Sequence, residues 1–281
     1  MDPEPIPERI DRYGVMGYPV SHSRSPVIHR LFALQTRQNL QYELLQVEPG
    51  RLEAAITAFA EAGGKGLNIT VPHKSAAAEY VDQLSERATA AGAVNTLAFQ
   101  DGEIFGDNTD GSGLMRDLTR NLRLSIMDAN ILVLGAGGAT RGILGPLLAA
   151  RPQHVTIANR TLSKAEELAE RFSSSRAISA CRFRDITAGG YDLVINATSA
   201  GLKGETPPYP DQAITPETFC YDLSYGLTPT PFSRWAASRG ATRSVMGWGM
   251  LVEQAAESFH LWRGVRPDTA PVLRQIAISA S

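Results

Sequence analysis

The chain has 281 residues, of which 43% are hydrophobic and 20% charged, and a formal net charge of −2. That length suits two modest domains, each with its own core, and the near-balanced charge excludes the broad basic field that draws nucleic acid or anionic lipid. No apolar run approaches the about 20 residues of a membrane span, the histidines show no metal-ligand spacing, and two cysteines, Cys181 and Cys220, are too few for a disulfide framework, which points to a reducing cytoplasm.

The opening MDPEPIPERIDR is Pro-rich and acidic. It lacks the basic and apolar regions of a signal peptide, and its first ten residues are expected to be disordered. Residues 13–16 read as a strand running into Gly17-Tyr-Pro19 and the polar turn Ser21-His-Ser-Arg-Ser-Pro26. Further strands are expected at 42–47 and 66–71. Residues 93–99 and 103–105 flank Gln100-Asp-Gly102, a hairpin signal. From Asn130 the grammar changes. The apolar run 130–134 ends in Gly135 and has the pattern of a buried parallel strand. A helical stretch through 142–148 follows, then a strand at 155–158 and a helix at 163–171. Strands at 192–196 and 219–223, and a further one at 243–246, complete an alternation that predicts a parallel sheet covered on both faces. The chain ends in a helix from Gly249 through Trp262, a turn at Arg266-Pro267 and a short final helix.

The sharpest local signal is Gly135-Ala136-Gly137-Gly138-Ala139-Thr-Arg141, set between a buried strand and a helix. Glycines there let the backbone turn tightly and approach a diphosphate, towards which the helix N-terminus directs free N–H groups and partial positive charge. The bland alternative is a glycine turn with no ligand; a Walker loop fails because no GK[ST] follows. The tip of the next strand selects the nucleotide. NAD sites place an acid there for the ribose 2′-OH, whereas this chain has Asn159-Arg160-Thr161 and then Lys164. A guanidinium fork suits a 2′-phosphate, so NADP is the expected cofactor. The alternative is that Arg160 and Lys164 pair with Glu166 or Glu167.

In the first half, polar residues gather at four strand ends, where open α/β sheets place ligands. The hydroxyls of Ser23 and Ser25 suit a carboxylate. Asn68, Thr70 and Asn95 suit substrate hydroxyls. Lys74, just after Pro72, is expected in the first turn of a helix, where its charge opposes the dipole. Asp110, within Gly106-Asp-Asn-Thr-Asp-Gly111, is its expected partner. Hydride addition to a carbonyl leaves an alkoxide that needs a proton, and a lysine–aspartate couple can supply it. Singly, each of these residues is ordinary; a lone Lys–Asp pair is more often structural.

Together the segments resemble the shikimate dehydrogenase family, from about Tyr13 to Arg274. The resemblance implies an α/β substrate domain over 1–112, completed by C-terminal helices over 250–281, and a Rossmann-type doubly wound parallel-sheet domain over 113–249. It implies a reversible, NADPH-dependent reduction of 3-dehydroshikimate to shikimate, a step towards the aromatic amino acids. By the same resemblance Ser23 and Ser25 bind the substrate carboxylate, Thr70, Asn95 and Gln254 contact the ring, and Lys74 is the acid/base with Asp110 beside it. The segment Asn196-Ala-Thr-Ser-Ala-Gly201 resembles the loop after the fourth Rossmann strand. Tyr-Asp-Leu-Ser-Tyr225 gives Tyr225 as a substrate contact and Leu223 as a nicotinamide neighbour, and Gly247 belongs to the cofactor turn. Two departures stand out: Met246-Gly-Trp-Gly-Met-Leu251 where the family usually has DGxGML, and Tyr18 where it commonly has Asn. A small-molecule substrate is the only expected partner, with no nucleic acid, membrane or metal; monomer and homodimer both stay open. Two other readings remain, a quinate/shikimate or aminoshikimate dehydrogenase and a catalytically weak sensor.

Overall fold

The computed structural model describes residues 10–280 apart from Ser174, Arg176, Ser199, residues 201–208 and Pro210. The expectation for the first nine residues, and two positions of the 196–201 loop, Ser199 and Gly201, fall outside the described residues. The chain divides into two compact units, Met1–Gly113 with Leu251–Gln275, and Leu114–Met250 with Ile276–Ser281. Residues from Ile276 onward thus group with the second unit, whereas the sequence assigns the whole tail to the first.

The first unit is built on six strands: β1 (Asp11–Gly17), β2 (Leu40–Gln46), β3 (Gly64–Ile69), β4 (Gln83–Leu84), β5 (Thr96–Gln100) and β6 (Glu103–Asp107). They lie in the order β2-β1-β3-β5-β6-β4. The first three are mutually parallel and β5 runs antiparallel to both β3 and β6. Asp101 and Gly102 close the β5–β6 hairpin with φ of 53° and 84°, the left-handed pair that such a turn requires. Helices α1 (Ser25–Thr36), α2 (Leu52–Glu61), α3 (Lys74–Tyr80) and α4 (Glu86–Ala91) cover the sheet. Leu52, Ile56 and Phe59 of α2 are spaced to share one helix face and pack with Leu67, Ile69 and Leu97.

A second layer is aromatic. Tyr13 stacks on Trp262 at 4.6 Å, and His29 lies nearly parallel to Tyr42 at 4.2 Å. Trp262 comes from the long helix α9 (Trp248–Arg263), and its indole N–H donates to Leu97 O at 2.8 Å. Only glycine fits beneath it, because a Cβ at Gly66 would overlap the indole. His29 is fully buried with both ring nitrogens unpartnered. Burial lowers its pKa to about 3; the nearby Asn68 amide opposes this but stands outside hydrogen-bonding geometry.

In the second unit six parallel strands follow the order β12-β11-β10-β7-β8-β9. These are β7 (Asn130–Leu134), β8 (His154–Asn159), β9 (Ile178–Arg182), β10 (Leu193–Asn196), β11 (Phe219–Asp222) and β12 (Arg243–Met246). Read from β7, this is the 3-2-1-4-5-6 order of a doubly wound dinucleotide-binding sheet, with its switch point between β7 and β10. Its central strands are continuous apolar runs because both faces are covered. One face packs Ile131, Val133, Ile195 and Tyr221 against α6 (Gly138–Ala149) and α7 (Leu162–Arg171). The other packs Leu132, Leu134, Val194 and Cys220 against α8 (Pro231–Ser238). Helices α5 (Asp110–Arg116) and α9 carry the chain between the units, and α10 (Thr269–Ala280) closes it.

Candidate functional site

In the first unit the polar strand ends converge. Ser23 and Ser25 sit at the start of α1, where their hydroxyls are 3.2 Å apart and the Ser25 N–H donates to Ser23 Oγ. The first turn of α1 holds no acid, so the helix terminus and two hydroxyls together favour an anion. Thr70 follows β3 and is fixed by its N–H to Met16 O; a Cβ at Gly17 would overlap its methyl group, which explains the glycine in Gly17-Tyr-Pro. Lys74 opens α3, and its carbonyl receives the Val94 N–H at 2.8 Å, tying the lysine to the segment that carries Asn95. Asp110 opens α5, with its N–H capped by Asn108 Oδ1.

The centre of this group is an ion pair. Lys74 Nζ lies 2.5 Å from Asp110 Oδ2, with the two side chains only 13% and 5% exposed. Asn95 Nδ2 donates to the other carboxylate oxygen, Asp110 Oδ1, at 2.9 Å. Gln254, one turn inside α9, brings Oε1 to 3.3 Å from the same Asn95 Nδ2. Asn68 is placed differently from the others. Its Oδ1 accepts from Tyr42 at 2.7 Å, and its Nδ2 donates to Asn95 O, Thr96 Oγ1 and Ser258 Oγ. Both amide hydrogens are thereby committed, and what Asn68 offers a ligand is the remaining acceptor capacity of Oδ1.

Three residues of this cluster escape a reading of motifs. Thr96 directly follows Asn95, and Thr109 lies inside the Gly106–Gly111 segment, where only their small polar character marks them. Ser258 carries no signal beyond standing one turn after Gln254. Beside the cluster, Arg87 donates to both oxygens of Asp107, and Ser85 adds a third bond. Burial pushes the Asp107 pKa up, but these bonds outweigh it and hold the carboxyl below its usual range.

The second unit carries the nucleotide features. Gly135 leaves β7 with φ of 106°, in a region that side chains rarely adopt, and its N–H donates to Ala158 O. A Cβ there would press to 3.1 Å on Ala197 O, across the sheet's switch point. Beyond Gly137 the space is open, and Gly138 begins α6. Ala136 and Ala139 add no bulk to this turn. A diphosphate fits such a bare turn at a helix N-terminus.

At the tip of β8, Asn159 Nδ2 donates to Thr161 O, fixing the turn from which Arg160 and Thr161 project as exposed residues. Glu167 is taken by Arg141 at 2.8 Å, and Lys164 stands close enough to help lower the Glu167 pKa. No ion pair of Arg160 is found among the described residues. The donor set therefore suits a 2′-phosphate, with no acid at the tip to repel it.

At the far strand ends the Leu223 N–H donates to Asn196 O, and a Cβ at Gly247 would reach 2.5 Å from Leu223 O, so that close approach requires glycine. Tyr225 and Trp248 meet at 4.6 Å between ring centroids. The departure at Met246 leaves the register intact, since Met246 pairs with Asp222 in the β11–β12 ladder. Asp222 is fully buried, which raises its pKa against hydrogen bonds from Thr230, Ser224 and Asn196. Tyr221 donates to Asp117 Oδ2 at 2.6 Å and accepts from the Met250 N–H, and a Cβ at Gly249 would overlap the Asp117 carboxylate. No cluster of His, Cys, Asp or Glu able to hold a metal occurs among the described residues, nor any helix long and apolar enough to cross a membrane.

Comparison with known proteins agrees with both halves. Residues 15–97 match the shikimate dehydrogenase substrate binding domain, 117–203 the shikimate/quinate 5-dehydrogenase model and 247–276 the shikimate 5'-dehydrogenase C-terminal domain. The shikimate dehydrogenase (NADP(+)) of Alkalilimnicola ehrlichii is 55% identical over 94% of this chain and 97% of its own length. That of Methylococcus capsulatus is 53% identical over 95% and 96%. Among solved structures, shikimate 5-dehydrogenase from Thermus thermophilus in complex with NADP(H) and shikimate superposes with a TM-score of 0.84 at 32% identity, covering 97% of this chain and all of that one. An Ael1 enzyme from Pseudomonas putida reaches 0.86 at 45% identity, covering 94% and 97%. With its glycine turn, its buried lysine–aspartate couple and relatives matched along nearly its whole length, the chain belongs to the shikimate dehydrogenase family.

Proposed function

We propose that this protein is an NADPH-dependent shikimate dehydrogenase, interconverting 3-dehydroshikimate and shikimate. The observation that carries the reading is the Lys74–Asp110 couple, buried, 2.5 Å long and held from its second oxygen by Asn95. The 135–139 turn, Arg160, Thr161 and Lys164 would hold NADPH, which would supply the hydride.

The protein's own residues do the rest. The hydroxyls of Ser23 and Ser25 bind the substrate carboxylate. Thr70 and Gln254 orient the ring hydroxyls, and Asn95 adds to this through the edge it shares with Asp110. Lys74 Nζ holds the proton that the C3 oxygen takes up as the ketone becomes an alcohol, and takes it back in the oxidative direction. Asp110 keeps Nζ in place and balances its charge. Leu223 and Gly247 shape the nicotinamide end of the second unit, where the usual family acid is replaced by Met246, and Tyr225 contributes a substrate contact.

Following nicotinamide absorbance with 3-dehydroshikimate tests the reading directly, with NADH and quinate as comparisons. Reduction of 3-dehydroshikimate with NADPH well above that with NADH is expected, as is oxidation of shikimate with NADP+ well above that of quinate. No turnover with any of them would leave a binding protein. Equal turnover of quinate would make it a quinate/shikimate dehydrogenase.

A further inference from the structure

Behind the acid/base couple lies a group of hydroxyls closed off from solvent. Thr96 and Thr109 are fully buried, as is Ser258 on α9. The number of hydrogens fixes how they are wired. Asn95 Oδ1 accepts from the Thr109 N–H at 2.8 Å and from Thr96 Oγ1 at 2.9 Å. Because a backbone N–H cannot become an acceptor, Oδ1 must face that side and Nδ2 must face Asp110. Thr96 has one hydroxyl hydrogen, and giving it to Asn95 leaves its oxygen to accept from Asn68 Nδ2 at 3.1 Å and to meet Ser258 Oγ at 2.7 Å. With that hydrogen spent, Ser258 gives its own single hydrogen to Thr96 Oγ1 rather than to Gln254 O, which lies 3.2 Å away. A continuous chain thus runs from the Tyr42 hydroxyl through Asn68, Thr96 and Asn95 to Asp110 and Lys74.

We propose that Thr96 is a positioning residue for proton transfer: the Thr109 N–H sets which end of the Asn95 amide faces Asp110, and the buried Thr96 hydroxyl holds that amide steady at hydrogen-bonding distance from the carboxylate. Thr96 touches neither oxygen of Asp110 nor the ammonium of Lys74, and acts through Asn95. Without its hydroxyl, Asn95 Oδ1 keeps only the two donors of Thr109, the N–H at 2.8 Å and the more distant hydroxyl at 3.2 Å, and Asn68 and Ser258 lose a shared acceptor. The amide then rocks, and Asp110 loses the second contact that aims its other oxygen at Lys74. Buried polar chains of this kind are sensitive to a single missing member.

The inference rests on the dehydrogenase reading, so its test has one arm that needs turnover and one that does not. Thr96→Val removes the hydroxyl at nearly constant volume, and Thr96→Ser keeps it. The valine variant is expected to lose about tenfold or more in kcat with little change in the KM for shikimate, and the serine variant to recover most of the loss. In an Asn95→Ala background Thr96→Val is expected to cost nothing further. Full kcat in a folded valine variant, or an additive loss in the double variant, overturns the proposal. Independently of turnover, the Asn95 side-chain amide proton that faces Asp110 is read by NMR, with Asp110→Ala marking its unbonded position. It is expected to move towards that position in Thr96→Val and to stay in Thr96→Ser; an unmoved resonance refutes the proposal even if the protein reduces no 3-dehydroshikimate. Should the valine variant not fold, Thr96→Cys, with similar volume and a weak donor, takes its place in every arm.

Discussion

Replacing Lys74 by methionine separates the lysine's chemistry from its part in folding. The substitution keeps length and apolar stem and deletes the charge. Because the partners are 13% and 5% exposed and 2.5 Å apart, Asp110 is left as a largely buried carboxylate without its cation. Breaking such a pair costs about 3–5 kcal/mol when nothing compensates. Here Asn95 Nδ2 still donates at 2.9 Å, so the loss belongs at the low end of that range. Loss of a positioned general acid lowers turnover by about 10²–10⁴-fold. Shikimate KM is expected to change little, since the carboxylate and ring contacts remain. The companion is the double variant Lys74→Met, Asp110→Asn, in which the uncompensated charge is gone. Urea unfolding should show most of the lost stability restored, while nicotinamide absorbance shows turnover as low as in the single variant. A Lys74→Met enzyme that turns over near the wild-type rate would refute the assignment, as would a double variant that regains activity along with stability.

Arg160→Ala is expected to raise the KM for NADPH by about 10- to 100-fold, the worth of a charge-assisted bond of about 1.5–3 kcal/mol, and to leave that for NADH almost unchanged; equal losses would defeat the 2′-phosphate assignment. His29 is neutral and buried with a pKa lowered to about 3, so the unfolded chain binds a proton below pH of about 6.5 that the folded chain refuses until far lower. Stability should therefore fall as pH drops from about 6.5 towards 3, and His29→Phe, which keeps an aromatic ring against Tyr42, should flatten that limb in acid denaturation curves. Asp107 works in the same pH direction through a depressed carboxyl, stabilising above the ordinary carboxylate range and failing below it, so some acid sensitivity will remain in the variant. Gly249→Ala would drive a methyl group into the Asp117 carboxylate, and a loss of about 1–3 kcal/mol in chemical denaturation is expected; an unchanged midpoint would show that Asp117 yields without cost.

Much of this was legible from residues. The run 130–134 and the glycine turn signal their structure through strict local requirements: a strand buried on both faces and a φ of 106° at Gly135. Lys74 and Asp110 were legible as a pair because the chemistry needs both. Their setting was not. The pairing of Asn68 with Tyr42 and Ser258 joins residues 26 and 190 positions apart, and no local pattern encodes such a meeting. Nor does the sequence show that both hydrogens of Asn68 are already engaged, since an asparagine in a motif looks the same whether it faces a ligand or a neighbour. Helix α8 and strand β9 also escaped notice. The first is short, and the second is a half-exposed edge strand without clear alternation. Both take their structure from the sheet they complete.

The first unit is assembled from the two ends of the polypeptide, and this has a consequence for how the enzyme is made. The motifs that name the substrate half all emerge from the ribosome early, yet Gln254, Ser258 and Trp262 leave it after the entire nucleotide half has been synthesised. Until then Asn68 and Thr96 lack their serine, the strip over Gly66 has no indole above it, and Leu97 O has no donor. A nascent chain released before that helix would keep each signature residue of the first half and still lack the partners that order them, so its quality is decided by that late helix rather than by the segments that carry the motifs.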